Sequence, residues 1–239
     1  MKHLIWIMLL LVPIVNGEDG KLKIADRLNL SVSARFGFDV MHLDVPDEIK
    51  YTPAHPDDQP KAVMGAYHND PFMTLGTAVV STGIELRLTS QVGIEAGWSW
   101  TYFSGSSRSK EEYPPFESYT YLDTDVDTGW VAEPYIELAW TFYKDRSGRC
   151  LLSVGTAKTR DFEVEYKRGW YRWGGWQLDS VHHADVEGTL YYVKYRFIST
   201  VGAGVTFQVN RRDWEAKFDT GHVTGDRGWG MALGIDFRY

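Results

Sequence analysis

The chain has 239 residues, 44% of them hydrophobic and 15% aromatic, with 32 acidic against 25 basic side chains and a net charge of −7. An acidic balance of this size argues against a phosphate backbone as partner, so nucleic-acid binding is set aside. A lone cysteine, Cys150, excludes an internal disulfide framework, and no long apolar run after residue 17 offers a helical membrane span.

In chain order, "MKHLIWIMLLLVPIVNG" comes first, with basic Lys2, an apolar stretch from Leu4 to Val15, and small residues before a cleavage point. This pattern predicts a signal peptide over 1–17 and a single exported domain over 18–239. A helical anchor is the alternative, but about a dozen apolar residues fall short of a bilayer. The cut removes one lysine and no acid, leaving the exported chain slightly more negative.

Helical periodicity is almost absent beyond that point, and period-two alternation takes its place in eight segments. The first runs through Leu28, Leu30, Val32, Ala34, Phe36, Phe38 and Val40. The second is clearest at Ala78, Val80, Ile84, Leu86 and Leu88, and the third reads Val92, Ile94, Ala96, Trp98, Trp100, Tyr102. The fourth carries Trp130, Ala132, Pro134, Ile136, Leu138, Trp140 and Phe142, and the fifth starts at Cys150, Leu152, Val154. Tyr191, Val193, Tyr195 and Phe197 mark the sixth, and Val201, Ala203, Val205, Phe207 and Val209 the seventh. The eighth is Trp229, Met231, Leu233, Ile235, Phe237, Tyr239 and runs to the carboxyl terminus. Short connections near 89–91, 143–149 and 199–200 alternate with long ones near 43–71, 104–126, 165–185 and 211–227. Short turns on one side and long loops on the other are the plan of an outer-membrane barrel. Pro134 lies inside a predicted strand, where it removes a ladder hydrogen bond, so a bulge is expected there.

A soluble, lipocalin-like barrel alternates in the same way, so the spacing of aromatics must arbitrate. Trp130 and Trp140 share a face ten residues apart, and Trp229 and Tyr239 repeat the interval. Ten tilted residues rise roughly 25 Å, the height of a barrel's lipid-facing band, and aromatic girdles belong at both ends of it. Trp98, Trp100 and Tyr102 join the outer girdle, and Phe142 and Phe237 the inner one. The expected fold is therefore an all-β, eight-stranded, antiparallel up-and-down transmembrane barrel with four long outer loops and short periplasmic turns.

The opposite face then lines the lumen, which in eight strands holds little beyond side chains. Arg35, Glu85, Glu95, Glu137, Lys194 and Arg196 fall within a few residues of the periplasmic rim and are expected to plug it with ion pairs. A gated narrow pore is the alternative. In "EYKRGWYRWGGWQLD", the aromatics Trp170, Tyr171, Trp173 and Trp176 mix with Lys167, Arg168 and Arg172. Such a surface suits an extracellular ligand such as a sugar, a lipopolysaccharide head group or a host protein, or it extends the girdle. Lys158 and Arg160 stand on the lipid-facing side, placed for lipid phosphate. Asp123, Asp125 and Asp127 in "YLDTDVDTG" offer a calcium or magnesium site, although Thr128 stands where an EF-hand needs glycine. A solvated acidic loop is the plainer reading, and no cofactor is implied.

Leu233, Ile235, Phe237 and Tyr239 resemble the terminal signal of bacterial outer-membrane proteins, which the barrel-assembly machinery recognises. With eight strands and four long loops, the exported chain resembles the small OmpA-like family of eight-stranded barrels across nearly its whole length. That resemblance implies integral residence in a Gram-negative outer membrane among lipid and lipopolysaccharide; the segment 1–17 implies Sec-type export, and a non-enzymatic role is expected. Enzymatic barrels are the competing class. Omptin-like proteases use acidic pairs and an Asp–His pair at the outer rim, and Asp123, Asp125, Asp127, His183 and Asp185 are the residues available here. Their spacing does not match, the omptin barrel has ten strands, and the His-x-Ser pair of lipid A deacylases is absent.

Overall fold

A computed structural model describes residues 28–46, 49, 72–113, 118–172 and 175–239. The expected signal segment 1–17 and most of the first outer connection lie outside these. Among the described residues nine strands form one antiparallel sheet: β1 (Leu28–His42), β2 (Phe72–Arg87), β3 (Val92–Tyr113), β4 (Ser118–Asp127), β5 (Val131–Lys144), β6 (Gly148–Arg172), β7 (Gly175–Ser199), β8 (Ala203–Phe218) and β9 (Val223–Arg238). Eight of them close a ring, because β1 pairs with β9 and β5 with both β3 and β6. β4 and β5 are one barrel strand broken at 128–130, since both pair with β3 in nearly the same register. The eight-stranded antiparallel barrel is the observed fold.

The expectation of long outer loops is corrected for three of the four, the first, 43–71, lying mostly outside the described residues. Of the four connections, 104–126, 165–185 and 211–227 are largely strand, and β8 and β9 are joined by only 219–222. The sequence hid this because the barrel turns its pattern inside out along its length. At the inner end of β6, Leu151 and Ser153 are buried; past Arg160 and Asp161 the buried set becomes Phe162, Val164 and Tyr166. Arg160 and Asp161 have no ladder partner on β7, and this bulge flips the side-chain parity. β4 and β5 flip in the same way across their break: Leu122 and Val126 point inward above it, Glu133 and Tyr135 below it.

The lower barrel is apolar outside and polar inside, which is the arrangement lipid demands. Phe36 is 70% exposed and Leu233 64%, whereas Arg196 is fully buried. The upper extension is the reverse, with an apolar plug of Met41, Leu75, Phe103, Val164, Phe218 and their neighbours. Leu43, Val45 and Ile49, just beyond β1, fold into that plug. Trp130, Trp140, Trp229 and Tyr239, the four rings that set the membrane height, are all exposed on the outer face. The terminal residue is held in the wall: Tyr239 N–H donates to Leu30 O at 3.0 Å, and Leu30 N–H to Tyr239 O at 2.9 Å.

Pro134 does not make the expected bulge. It stands opposite Trp98 in an unbroken β3–β5 register, and the shift in β5 occurs at 141–143 instead. On its other side Pro134 needs no ladder bond, because a notch opens there. No pairing joins 126–134 to 158–164, although β4 and β6 are paired above and β5 and β6 below.

Candidate functional site

Three places collect the charged residues: the lumen, the notch and the outer rim. In the lumen the charges come from alternate positions of strands that converge on a narrow axis. Arg196 is the hub, 2.5 Å from Glu137, 3.1 Å from Glu95 and 3.6 Å from Asp236, and it donates to Ser153 Oγ at 2.7 Å. Lys194 Nζ lies 2.8 Å from Glu137, and Arg238 Nη2 2.6 Å from Glu95. Glu85 is held by Arg238 and by Arg149 at 3.6 Å. Tyr135 OH donates to Glu95 at 2.8 Å and Tyr192 OH to Glu137 at 3.0 Å, roofing the network. Buried carboxylates need this many donors to offset lost hydration.

Of the six residues expected in the lumen, the structure brings Glu85, Glu95, Glu137, Lys194 and Arg196 into this network. Arg35 is buried, but its guanidinium donates to Gln208 at 2.6 Å rather than to a carboxylate. Sequence reasoning missed a second cluster higher up. Arg212 lies 2.5 Å from Glu133 and 3.2 Å from Asp39, sandwiched between Phe103 and Trp214 at 5.1 and 5.0 Å. The signal was present in the inward parity of Asp39 and Glu133, but Arg212 fell in a stretch read as loop. Between the two clusters is a polar cavity of about 20 Å3, reached by Arg35, Lys194, Gln208 and Arg212. That is room for about one water.

The notch has a volume of about 580 Å3 and is edged by Asp125, Asp127, Asp161, Glu163, Glu165 and Arg160. Arg160 lies over the Trp98 ring at 5.7 Å, and Lys158 is 2.8 Å from Glu187, so both candidate phosphate contacts are exposed and already partnered. Asp123, Asp125 and Asp127 do share the outer face, but no metal-ligating cluster exists among the described residues. Extended backbone spreads them, Arg108 clamps Asp123 through two bonds of 2.6 and 2.7 Å, and Tyr102 donates to Asp127. Asp123 and Asp127 are thus partnered surface acids, and the three carboxylates do not come together as a ligand group.

At the outer rim, Lys167 pairs with Glu165, which raises the lysine above its usual range through that hydrogen bond. Arg168 points inward and donates to Ile49 O at 3.4 Å, so it does not belong to an outward binding face. Trp170, Tyr171 and Arg172 lie on β6 and Trp176 on β7, but their side chains, and Trp173 altogether, lie outside the described residues. His183 faces Glu163 at 3.2 Å rather than Asp185, and β6 separates it from the acids of β4. Partial burial of Asp226 works against its ionisation, but bonds from His42 and from Arg227 N–H outweigh that and hold its carboxyl below the usual range.

Together the closed ring, the outward apolar band and the polar interior define a transmembrane β-barrel. No protein-family model and no curated sequence matches the chain. Among solved structures it is similar to the outer membrane protease OmpT of Escherichia coli, at 10% identity and a TM-score of 0.35, covering 93% of this chain and 99% of that one. It is also similar to an outer membrane channel of Pseudomonas putida, at 7% identity and a TM-score of 0.31, covering 94% and 100%. A FadL homologue of Pseudomonas aeruginosa follows at 6% identity and a TM-score of 0.19, covering 90% of each chain.

Proposed function

We propose that this protein is an integral barrel of the bacterial outer membrane with a closed lumen, whose working surface is its outward extension. The observation that carries this is the filled interior. Ion pairs close the lower half, the Arg212 cluster crosses the middle, and an apolar plug fills the mouth. A cavity for about one water leaves no continuous path, which weighs against the narrow-pore reading. Planar-bilayer recording of the refolded protein should show no stable single-channel conductance. Steady ohmic steps would overturn the closed-lumen reading.

The finer parts of the proposal rest on the sequence: residues 1–17 as a cleaved export signal, an OmpA-like plan, and an outer face that meets lipid, lipopolysaccharide or an extracellular ligand. Lys158 and Arg160 are then placed to exchange their protein partners for lipid phosphate. Leu233, Ile235, Phe237 and Tyr239 act as the assembly signal. Tyr239 is 77% exposed, so the finished barrel draws little packing from its ring. Tyr239→Ala should therefore lower the amount inserted in cells several-fold, yet refold in micelles nearly as well as the parent. Equal insertion in cells would reduce Tyr239 to an ordinary girdle residue.

A further inference from the structure

The outer rim holds an arrangement that the sequence keeps hidden, because one of its members comes from a turn far along the chain. Ser180 and His182 are two apart on β7 and so share its inward face. Ser180 Oγ and His182 Nε2 are 3.1 Å apart. The other ring nitrogen, Nδ1, lies 3.4 Å from Asp219 Oδ1 in the β8–β9 turn. Asp219 is itself fixed, since its Oδ2 accepts from His183 N–H at 3.2 Å and its own N–H donates to His183 O at 2.9 Å. With the ring proton on Nδ1, the nitrogen nearer Asp219, Nε2 accepts from the Ser180 hydroxyl. This is the order of contacts that activates a serine nucleophile.

The surroundings suit that chemistry. The β6–β7 register shifts beside Ser180, leaving Asp179 without a ladder partner, and bulges re-aim side chains at such sites. Arg168 is the ladder partner of Ser180, and its buried guanidinium brings positive charge to the same inward face. Tyr166, the ladder partner of His182, packs on Phe218 at 5.4 Å and gives the site an apolar floor. Ser180 and His182 are half-buried and so remain reachable from outside.

We propose that Ser180, His182 and Asp219 form a serine-hydrolase site at the outer mouth, acting on carboxylic esters with a small apolar acyl group. It rests on the reading that the outward extension is the working surface, and it departs from the non-enzymatic expectation of the sequence. Ser180 Oγ attacks the ester carbonyl as His182 Nε2 takes its proton, and Arg168 stabilises the oxyanion. Collapse breaks the carbon–alkoxy bond, and His182 returns the proton to the departing alcohol. Water then attacks the acyl-serine, gives its proton to His182, and releases the acid with Ser180 restored. Asp219 is a positioning residue that holds the imidazole.

The test uses the full chain refolded in detergent micelles, with heat-modifiable gel mobility as the check on folding. A fluorophosphonate probe should label the peptide containing Ser180, and p-nitrophenyl butyrate should be hydrolysed above the buffer rate. Ser180→Ala should lose the label and that hydrolysis while keeping the heat-modifiable band. His182→Ala should lower kcat at least about 100-fold. Asp219→Asn should lower kcat with KM unchanged, and Asp219→Glu should restore part of it. No label at Ser180, or hydrolysis that survives in Ser180→Ala, would overturn the site. A protein that conducts but labels at Ser180 defeats the closed lumen alone, and one that neither conducts nor labels defeats the triad alone.

Discussion

Glu137→Ala is expected to destabilise the barrel by about 3–5 kcal/mol, read as a lowered urea midpoint in lipid or micelles. Glu137 is the shared partner of Lys194 at 2.8 Å and Arg196 at 2.5 Å, and both cations are buried. Its removal leaves two cations with fewer carboxylates than they need, in a lumen where water cannot replace them. Arg196 keeps Glu95 and Asp236, so Lys194 carries most of the loss. The double variant Glu137→Ala/Lys194→Met should therefore recover a large part of the stability. If the single variant unfolds at the parent's midpoint, the lumen pairs are ornamental and the closed interior must be explained by packing alone.

Arg212→Ala should cost a similar amount, about 3–5 kcal/mol, because it strands Glu133 and Asp39 together. Arg212→Lys should restore less than half of it. A lysine is a point charge that cannot serve two carboxylates and lie flat between Phe103 and Trp214. The adjacent residue supplies the control. Arg211 lies one position away on the opposite face of β8, paired 2.8 Å from Asp213 with both side chains well exposed. Arg211→Ala should move the midpoint by no more than about 0.5 kcal/mol. Equal effects at 211 and 212 would mean that the inward and outward faces of β8 have been misassigned.

The contrast between these neighbours shows what was legible in the sequence. Alternation at Trp229, Met231, Leu233 and Ile235 gave both the strand and its lipid face, because an uninterrupted period of two assigns every side chain at once. The same rule failed from Arg160 onward. Two bulged residues invert the parity of β6. Phe162, Val164 and Tyr166 then alternate with Glu163, Glu165 and Lys167 in a pattern that reads as a polar loop unless the inversion is known. The lumen charges were visible as polar residues on a strand face, but not Arg212, which lies beyond the last apolar outward residue of β8. Ser180, His182 and Asp219 were out of reach for another reason. Thirty-nine positions separate Ser180 from Asp219, and only the β7–β8 register brings them together.

The notch between β5 and β6 has a consequence for how the molecule sits in its surroundings. Backbone groups along 126–134 and 158–164 have no ladder partners across it, and such edges are not tolerated in hydrocarbon. Trp98, Trp100 and Trp130 stand beside it on the outer surface, at the level where aromatic rings prefer the head groups. The rings resist rising into water, and the bare amides resist sinking into oil. Together they work as a waterline. A thicker bilayer has to thin against this barrel, or tilt it, before the notch goes under. The notch and its rings together limit how deep that side of the wall can sit in a bilayer.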